Sequence, residues 1–281
     1  MIVGDDHLAH DLAARAGRRL LELRGRADFS DQGALRAAGD RLSHEYLTAA
    51  LAAHRHGDAL LSEEGRDDPV RLTASRVWIV DPLDGTREFG EAGRTDWAVH
   101  VALWARTEPA AGEPAPPKPP TDGPRGRLVA GAVALPAQGH TFSTVPASPA
   151  GWADGERGAG GDRLRIVVSR TRPPEVARRL ASQTGADLIP LGSAGAKIMA
   201  VLTGAADAYV HAGGQYEWDS AAPVAVAQAA GLHASRIDGR PLVYNQPDPK
   251  LPDILVCRPA IAEMLLAVIN SACVRRTARL A

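Results

Sequence analysis

Residues 78–89 read Trp78-Ile79-Val80-Asp81-Pro82-Leu83-Asp84-Gly85-Thr86-Arg87-Glu88-Phe89, and this stretch decides how the rest of the chain is understood. An apolar strand ends at Asp81, and Pro82 is expected to stop regular pairing because it has no N–H to give a ladder. Asp84-Gly85-Thr86 then turns the chain into a short helix. Two carboxylates three residues apart, at a strand end beside a helix start, can hold a hard divalent cation. The backbone N–H groups of Gly85 and Thr86 would face a phosphate that the cation also touches. Taken alone, the string is equally an Asp-rich turn that caps a helix.

Two further acidic segments bear on that choice. Ser62-Glu63-Glu64-Gly65 follows the strand-like stretch Ala59–Ser62. Glu217-Trp218-Asp219-Ser220 precedes an alanine-rich helix, with Asp219 expected at or near its N-cap. Each alone is an ordinary acidic loop or cap. Together, Glu63, Asp81, Asp84 and Asp219 all fall at element ends, where α/β folds place their sites. Four converging carboxylates repel one another unless cations lie between them, which is an argument for a magnesium site.

The whole chain sets the bounds. It has 281 residues, 45% of them hydrophobic, with 32 basic and 33 acidic side chains and a formal charge of −1. That is enough chain for one large or two modest domains with a real core. The charge balance argues against a nucleic-acid polymer as partner, since such proteins need a basic surplus. No apolar run approaches the ~20 residues of a membrane span. The start, MIVGDDHLAHDL, is acidic and unlike a signal peptide, so the expectation is a soluble, cytoplasmic protein. Cys257 and Cys273 lack metal-ligand spacing and read as small buried apolar residues. Lys118, Lys197 and Lys250 are the only lysines.

Leu8, Leu12, Ala16, Leu20 and Leu23 recur at helical spacing, with Asp5 and Asp6 as candidate caps. A second helix is expected after Asp40, carrying Leu42, Tyr46, Leu47 and Leu51. Strands are expected at Arg76–Val80, Trp97–Trp104, Leu128–Leu135 and Thr141–Val145. Residues 108–127 are proline-rich and read as a mobile surface insertion. Beyond the glycine-rich break at 151–162 the pattern alternates. Strands fall at Leu164–Ser169, Leu188–Leu191, Ala206–His211 and Ile254–Cys257. Helices fall at Pro173–Ser182, Ala194–Thr203, Asp219–Ala230 and Ala260–Ile269. This predicts an α+β half, residues 1–160, carrying the metal site, and an α/β half, residues 161–281.

The three acidic segments, in this order, resemble the signature of the magnesium-dependent, lithium-sensitive phosphomonoesterases. That superfamily includes inositol monophosphatase, fructose-1,6-bisphosphatase and the bisphosphate nucleotidases. The resemblance covers nearly the whole chain outside the proline-rich insertion. It implies a layered α-β-α-β-α sandwich, two or three Mg²⁺ ions, and a homodimer as the assembly. It also implies Glu63, Asp81, Asp84 and Asp219 as side-chain ligands and the Leu83 carbonyl as a further one. Glu64 would lie nearby. Asp40 matches the aspartate that bonds the motif threonine, here Thr86, and with it takes a proton from the attacking water. An N-cap role for Asp40 is compatible with the same pattern. No GxSxG or P-loop string offers another chemistry.

Within the superfamily, Ser62–Gly65, the Asp81–Thr86 motif, Gly192–Lys197 (GSAGAK) and Trp218–Pro223 (WDSAAP) most resemble the CysQ-type nucleotidases. The activity this implies is removal of the 3'-phosphate of adenosine 3',5'-bisphosphate, or of its sulfated form, in sulfate assimilation. Leu83, Asp84, Gly85, Thr86, Asp219, Lys197 and, more weakly, Ser193 would contact substrate. A lysine at a helix start after a glycine turn can reach a second phosphate, or can be simply a solvated helix lysine. The histidine that nucleotidases often carry after the Val168-Ser169-Arg170 strand end is missing. Arg170 or Arg172 could replace it or be plain surface arginines. His211, Tyr216 and Trp218 are candidates for the substrate side. An inositol or sugar-phosphate phosphatase, and a non-catalytic nucleotide sensor, remain the alternatives.

Overall fold

The structure is a computed structural model that describes residues 4–107, 125–148, 150–151 and 163–277, with side chains to residue 271. Two five-stranded mixed sheets lie at its centre, ordered β1-β2-β3-β4-β5 and β7-β6-β8-β10-β9. The first comprises β1 (Ala59–Ser62), β2 (Arg76–Asp84), β3 (Ala98–Arg106), β4 (Gly126–Leu135) and β5 (His140–Ser143). The second comprises β6 (Arg165–Ser169), β7 (Asp187–Leu191), β8 (Ala208–Tyr216), β9 (His233–Ser235) and β10 (Lys250–Cys257). Helices α1 (Asp5–Gly25) and α2 (Gln32–His54) cover the outer face of the first sheet, and the short α3 (Thr86–Phe89) follows β2. Between the sheets run α5 (Ala194–Leu202) and α6 (Glu217–Ala229), while α4 (Glu175–Thr184) and α7 (Pro259–Thr277) cover the far face of the second. This is the layered α-β-α-β-α sandwich expected.

Strand alternation builds the layers. Val77 and Ile79 of β2 enter the core between the sheets, while Trp78 and Val80 enter the core under α1 and α2. Buried on both faces, such strands read as continuous apolar runs. Tyr209 of β8 joins the central core and its neighbours Ala208 and Val210 face α4 and α7. Helix α6 is alanine-rich because it lies close to β4: a Cβ on Gly131 would come 2.7 Å from that of Ala225.

Several expectations need correction. Asp5 and Asp6 are not caps. Gly4 holds the N-cap position, and the two aspartates sit in the first turn, where negative charge suits the helix dipole. Helix α2 starts eight residues before Asp40, capped by Asp31, whose side chain accepts from the N–H of Ala34. Asp40 is therefore mid-helix and caps nothing. Pro82 does not end β2, because the pairing with β3 shifts register between Asp81 and Asp84 and passes over it. Strand β9 was not foreseen; it is three residues long. The strand expected from Leu128 starts at Gly126, and residues 108–124 of the expected insertion lie outside the described residues, as does the Cys273 side chain. Cys257 is buried, as expected. Among the described residues no helix is long and apolar enough to cross a membrane.

Candidate active site

The parallel neighbours β1 and β2 end side by side, and this delivers the first three carboxylates. Glu63 follows the last residue of β1, and Asp81 and Asp84 close β2 across the bulge that Pro82 forces. Asp219 arrives from the first turn of α6, where its carboxylate accepts from the N–H of Tyr216 at 2.6 Å. Carboxylate oxygens of Asp81, Asp84 and Asp219 lie within 4.8 Å of one another. The carboxyl of Glu63 lies close enough to that of Asp81 for each to act on the other's ionisation.

Acids this close cannot all ionise in a desolvated site. Burial, then the charges of Glu63, Asp84 and Asp219, hold the Asp81 carboxyl well above the usual range. Burial and the Asp84 charge push Asp219 to about 8. Glu63 keeps its outer surface in solvent, yet loss of water around its carboxyl and the nearby Asp84 and Glu64 lift it to about 7. A group of buried oxygens that retains protons for want of positive charge is the donor set a hard divalent cation takes, displacing those protons.

Asp84 is held rigidly. Its Oδ2 accepts from the Ser193 hydroxyl at 2.5 Å and from the N–H of Gly195 at 2.8 Å. Ser193 is also the N-cap of α5, accepting from the N–H of Ala196. The hydroxyl expected to touch substrate is thus turned to Asp84 and buried. A residue the sequence reading missed, His100, lies here too. Its Nδ1–H donates to the Trp218 carbonyl at 3.1 Å, and its Nε2 lies 3.2 Å from Asp84 Oδ2. Burial lowers the His100 pKa against the pull of Asp84. Only the strand alternation of β3, which turns His100 inward opposite Gly195, could have signalled it.

Thr86 joins two acceptors. Its Oγ1 lies 3.2 Å from Asp40 Oδ1 and 2.9 Å from the Leu83 carbonyl. Burial and the Glu64 charge raise Asp40 to about 6, with the Thr86 hydrogen bond opposing. Gly85 adopts φ +84°, and a Cβ there would meet the Asp96 carbonyl and Ser193 at 3.2 Å, so the motif glycine is required both for conformation and for space.

Asp84, Gly85 and Asp219 open into a cleft of about 240 Å³ that Lys197, His211 and Arg172 also line. A larger hollow, about 840 Å³, lies between Thr95 and Met199 and contains none of the four carboxylates. Lys197 is not solvated. It is 3% exposed, donates to the Gly192 carbonyl, and lies 5.4 Å over the Tyr209 ring. Burial lowers its pKa, opposed by Asp84 and Asp219. Arg170 is neither free on the surface nor available to a phosphate, because Glu88 at 2.7 Å and Glu91 at 2.9 Å take its guanidinium. Arg172, and Arg87 directly after the motif, line the cleft with no side-chain partner among the described residues. Arg87 was missed, although its place in Thr86-Arg87-Glu88 was the available signal. Tyr216 and Trp218 stack on each other, centroids 4.7 Å apart, and Trp218 packs against the central core.

Clustered carboxylates at strand ends, beside a cleft that also carries arginine and lysine, suit the joint binding of a cation and a phosphate, the chemistry of a phosphatase. The chain belongs to the inositol monophosphatase family, whose pattern it matches over residues 6–272. It is 53% identical to the 3'-phosphoadenosine 5'-phosphate phosphatase of Mycobacterium leprae, over 95% of this chain and 93% of that one. Identity to the protein of the same name in Mycobacterium bovis is 50%, over 92% and 90% of the two chains. In structure it resembles CysQ from Bacteroides thetaiotaomicron, with a TM-score of 0.70, 26% identity, and 90% and 97% of the chains covered.

Proposed function

We propose that this protein is a magnesium-dependent phosphomonoesterase that hydrolyses the 3'-phosphate of adenosine 3',5'-bisphosphate, giving AMP and inorganic phosphate, and that of its sulfated form, giving adenosine 5'-phosphosulfate and inorganic phosphate. In the cell this would clear the nucleotide left by sulfate assimilation in the cytoplasm. The observation that carries the reading is the cleft itself: it is lined by Asp84 and Asp219 and also by Lys197, Arg172 and Arg87, cations that can take a second phosphate. The names of the mycobacterial relatives support it.

Glu63, Asp81, Asp84, Asp219 and the Leu83 carbonyl would hold two or three Mg²⁺ ions. Bound there, magnesium supplies positive charge to the phosphate oxygens and lowers the pKa of a coordinated water. With the Leu83 carbonyl engaged by a cation, Thr86 Oγ1 would donate to Asp40, its other acceptor, and its lone pair would accept from the attacking water. As Asp40 takes the threonine proton, Thr86 takes that of the water. The amides of Gly85 and Thr86 orient the transferred phosphoryl group. Ser193 acts by fixing Asp84 and not by touching substrate. Residues 1–160 and 161–281 would act as two units closing one site, in a homodimer.

Phosphate release from adenosine 3',5'-bisphosphate, inositol 1-phosphate and fructose 1,6-bisphosphate, compared at equal Mg²⁺, tests the reading. The bisphosphate nucleotide should have the highest kcat/KM. Preference for inositol 1-phosphate would replace this reading with an inositol phosphatase, and no turnover of any substrate would leave a nucleotide sensor.

A further inference from the structure

Glu217 is 1% exposed, two residues before Asp219, and takes no part in the chemistry above. Its two oxygens accept the backbone N–H groups of Asn245 and Gln246 at 2.6 and 2.7 Å. In return, the N–H of Glu217 donates to the Pro249 carbonyl at 2.8 Å. The start of α6 is thus fastened to the segment between β9 and β10. That segment is fastened again by Arg71, itself 1% exposed. The Arg71 guanidinium donates to Asn245 Oδ1 at 2.8 Å and to the Gln246 carbonyl at 2.9 Å, and Asn245 Nδ2 returns a bond to the Arg71 carbonyl at 3.2 Å. Asp67 takes the remaining edge of Arg71 at 2.6 and 2.9 Å. Asn245 is fully buried at φ +59°, a conformation asparagine tolerates better than most residues.

The geography of this knot matters. Asp67 and Arg71, the latter in a short 3-10 helix at Pro69–Leu72, belong to the connection that leaves Glu63 and Glu64, and Glu217 belongs to the first turn of α6, which presents Asp219. Two site segments about 150 residues apart in sequence are therefore tied through a single buried set of bonds. We propose that Arg71, Asn245 and Glu217 are positioning residues that fix Asp219 relative to Glu63 and Asp81, and thereby set the affinity for the divalent cation. The proposal rests on the reading of those carboxylates as a cation site. Buried networks of this kind hold only while every member is satisfied. Outer residues that orient ligands typically change metal affinity by about 10- to 100-fold when lost.

The test is calorimetric titration of Mg²⁺ into the metal-free protein, with turnover measured separately. Glu217→Gln keeps the shape but sets an amide N–H₂ against a backbone N–H. Arg71→Lys keeps the charge but loses the planar fork. Arg236→Lys is the control: it disrupts a similar bidentate pair, with Asp253 at 2.7 and 2.6 Å, in the second sheet. Glu217→Gln and Arg71→Lys should each raise the Mg²⁺ dissociation constant about tenfold or more, with kcat largely restored by excess Mg²⁺. Arg236→Lys should lower the unfolding temperature yet leave Mg²⁺ affinity unchanged. Less than a threefold change in either site variant, or an equal loss in the control, would overturn the proposal. Failure of the parent protein to bind Mg²⁺ would overturn the cation reading as well.

Discussion

A Cβ at Gly195 would sit 2.1 Å from Nε2 of His100, in the space between α5 and Asp84. Gly195→Ala should therefore destabilise the fold by about 1–3 kcal/mol, the usual cost of overpacking. Adding His100→Ala, which vacates the space, should recover part of that loss; urea unfolding of both variants checks it. Lys197 admits a test that separates substrates. Lys197→Met fills the same buried volume without the charge, and a charge-assisted contact is worth roughly 1.5–3 kcal/mol. The expected loss of kcat/KM is about 10- to 100-fold on adenosine 3',5'-bisphosphate and small on inositol 1-phosphate; parallel losses would make Lys197 a support of the metal site. The carboxylates were legible because short strings fix their local geometry. Ser193 and Lys197 were visible in sequence but their contacts were not: the hydroxyl turns to Asp84, and the ammonium, which lines the cleft, also donates to the Gly192 carbonyl. His100 was missed, since strand alternation shows only that it turns inward while its partners lie 16, 95 and 118 positions away.

Among the elements, apolar period located nearly every strand and helix, because most are buried on at least one face. Boundaries failed where polar chemistry rules. The start of α2 is set by an Asp31 cap in a segment with little apolar pattern. The end of β2 is set by a bulge that lets a proline remain within the strand. The contact between α6 and β4 yields a prediction of its own. Gly131→Val should force α6 away from the sheet, lowering the unfolding temperature and weakening Mg²⁺ binding together, because that helix carries Asp219. A thermal melt with and without Mg²⁺ reads both. A stability loss with unchanged Mg²⁺ affinity would mean that the first turn of α6 is held independently of its middle.

Over the whole molecule, the acidic site makes stability depend on pH in a direction opposite to that of most salt-bridged proteins. Asp40 lies at about 6, Glu63 at about 7 and Asp219 at about 8, all above their values of 3.8 to 4.5 in the unfolded chain. The metal-free fold therefore binds protons that the unfolded chain releases. Its stability is greatest below about pH 4, as far as these groups are concerned, and falls as pH rises toward 8. In a chelator the unfolding temperature should drop between pH 5 and pH 8, and Mg²⁺ should offset most of that drop. A chelated protein more stable at pH 8 than at pH 5 would contradict the site as described.

The positions 63, 81, 84 and 219 also impose an order in time. During synthesis the first three acids leave the ribosome long before the fourth. Until α6 is seated between the two sheets, the early trio lacks the arm that completes the site. Closing so long a loop is among the slower events in folding. A refolding chain should therefore ignore Mg²⁺ until its last phase and then respond to it at the rate at which the buried tryptophans settle. The ion would act as a seal on a finished molecule and not as a nucleus for an unfinished one.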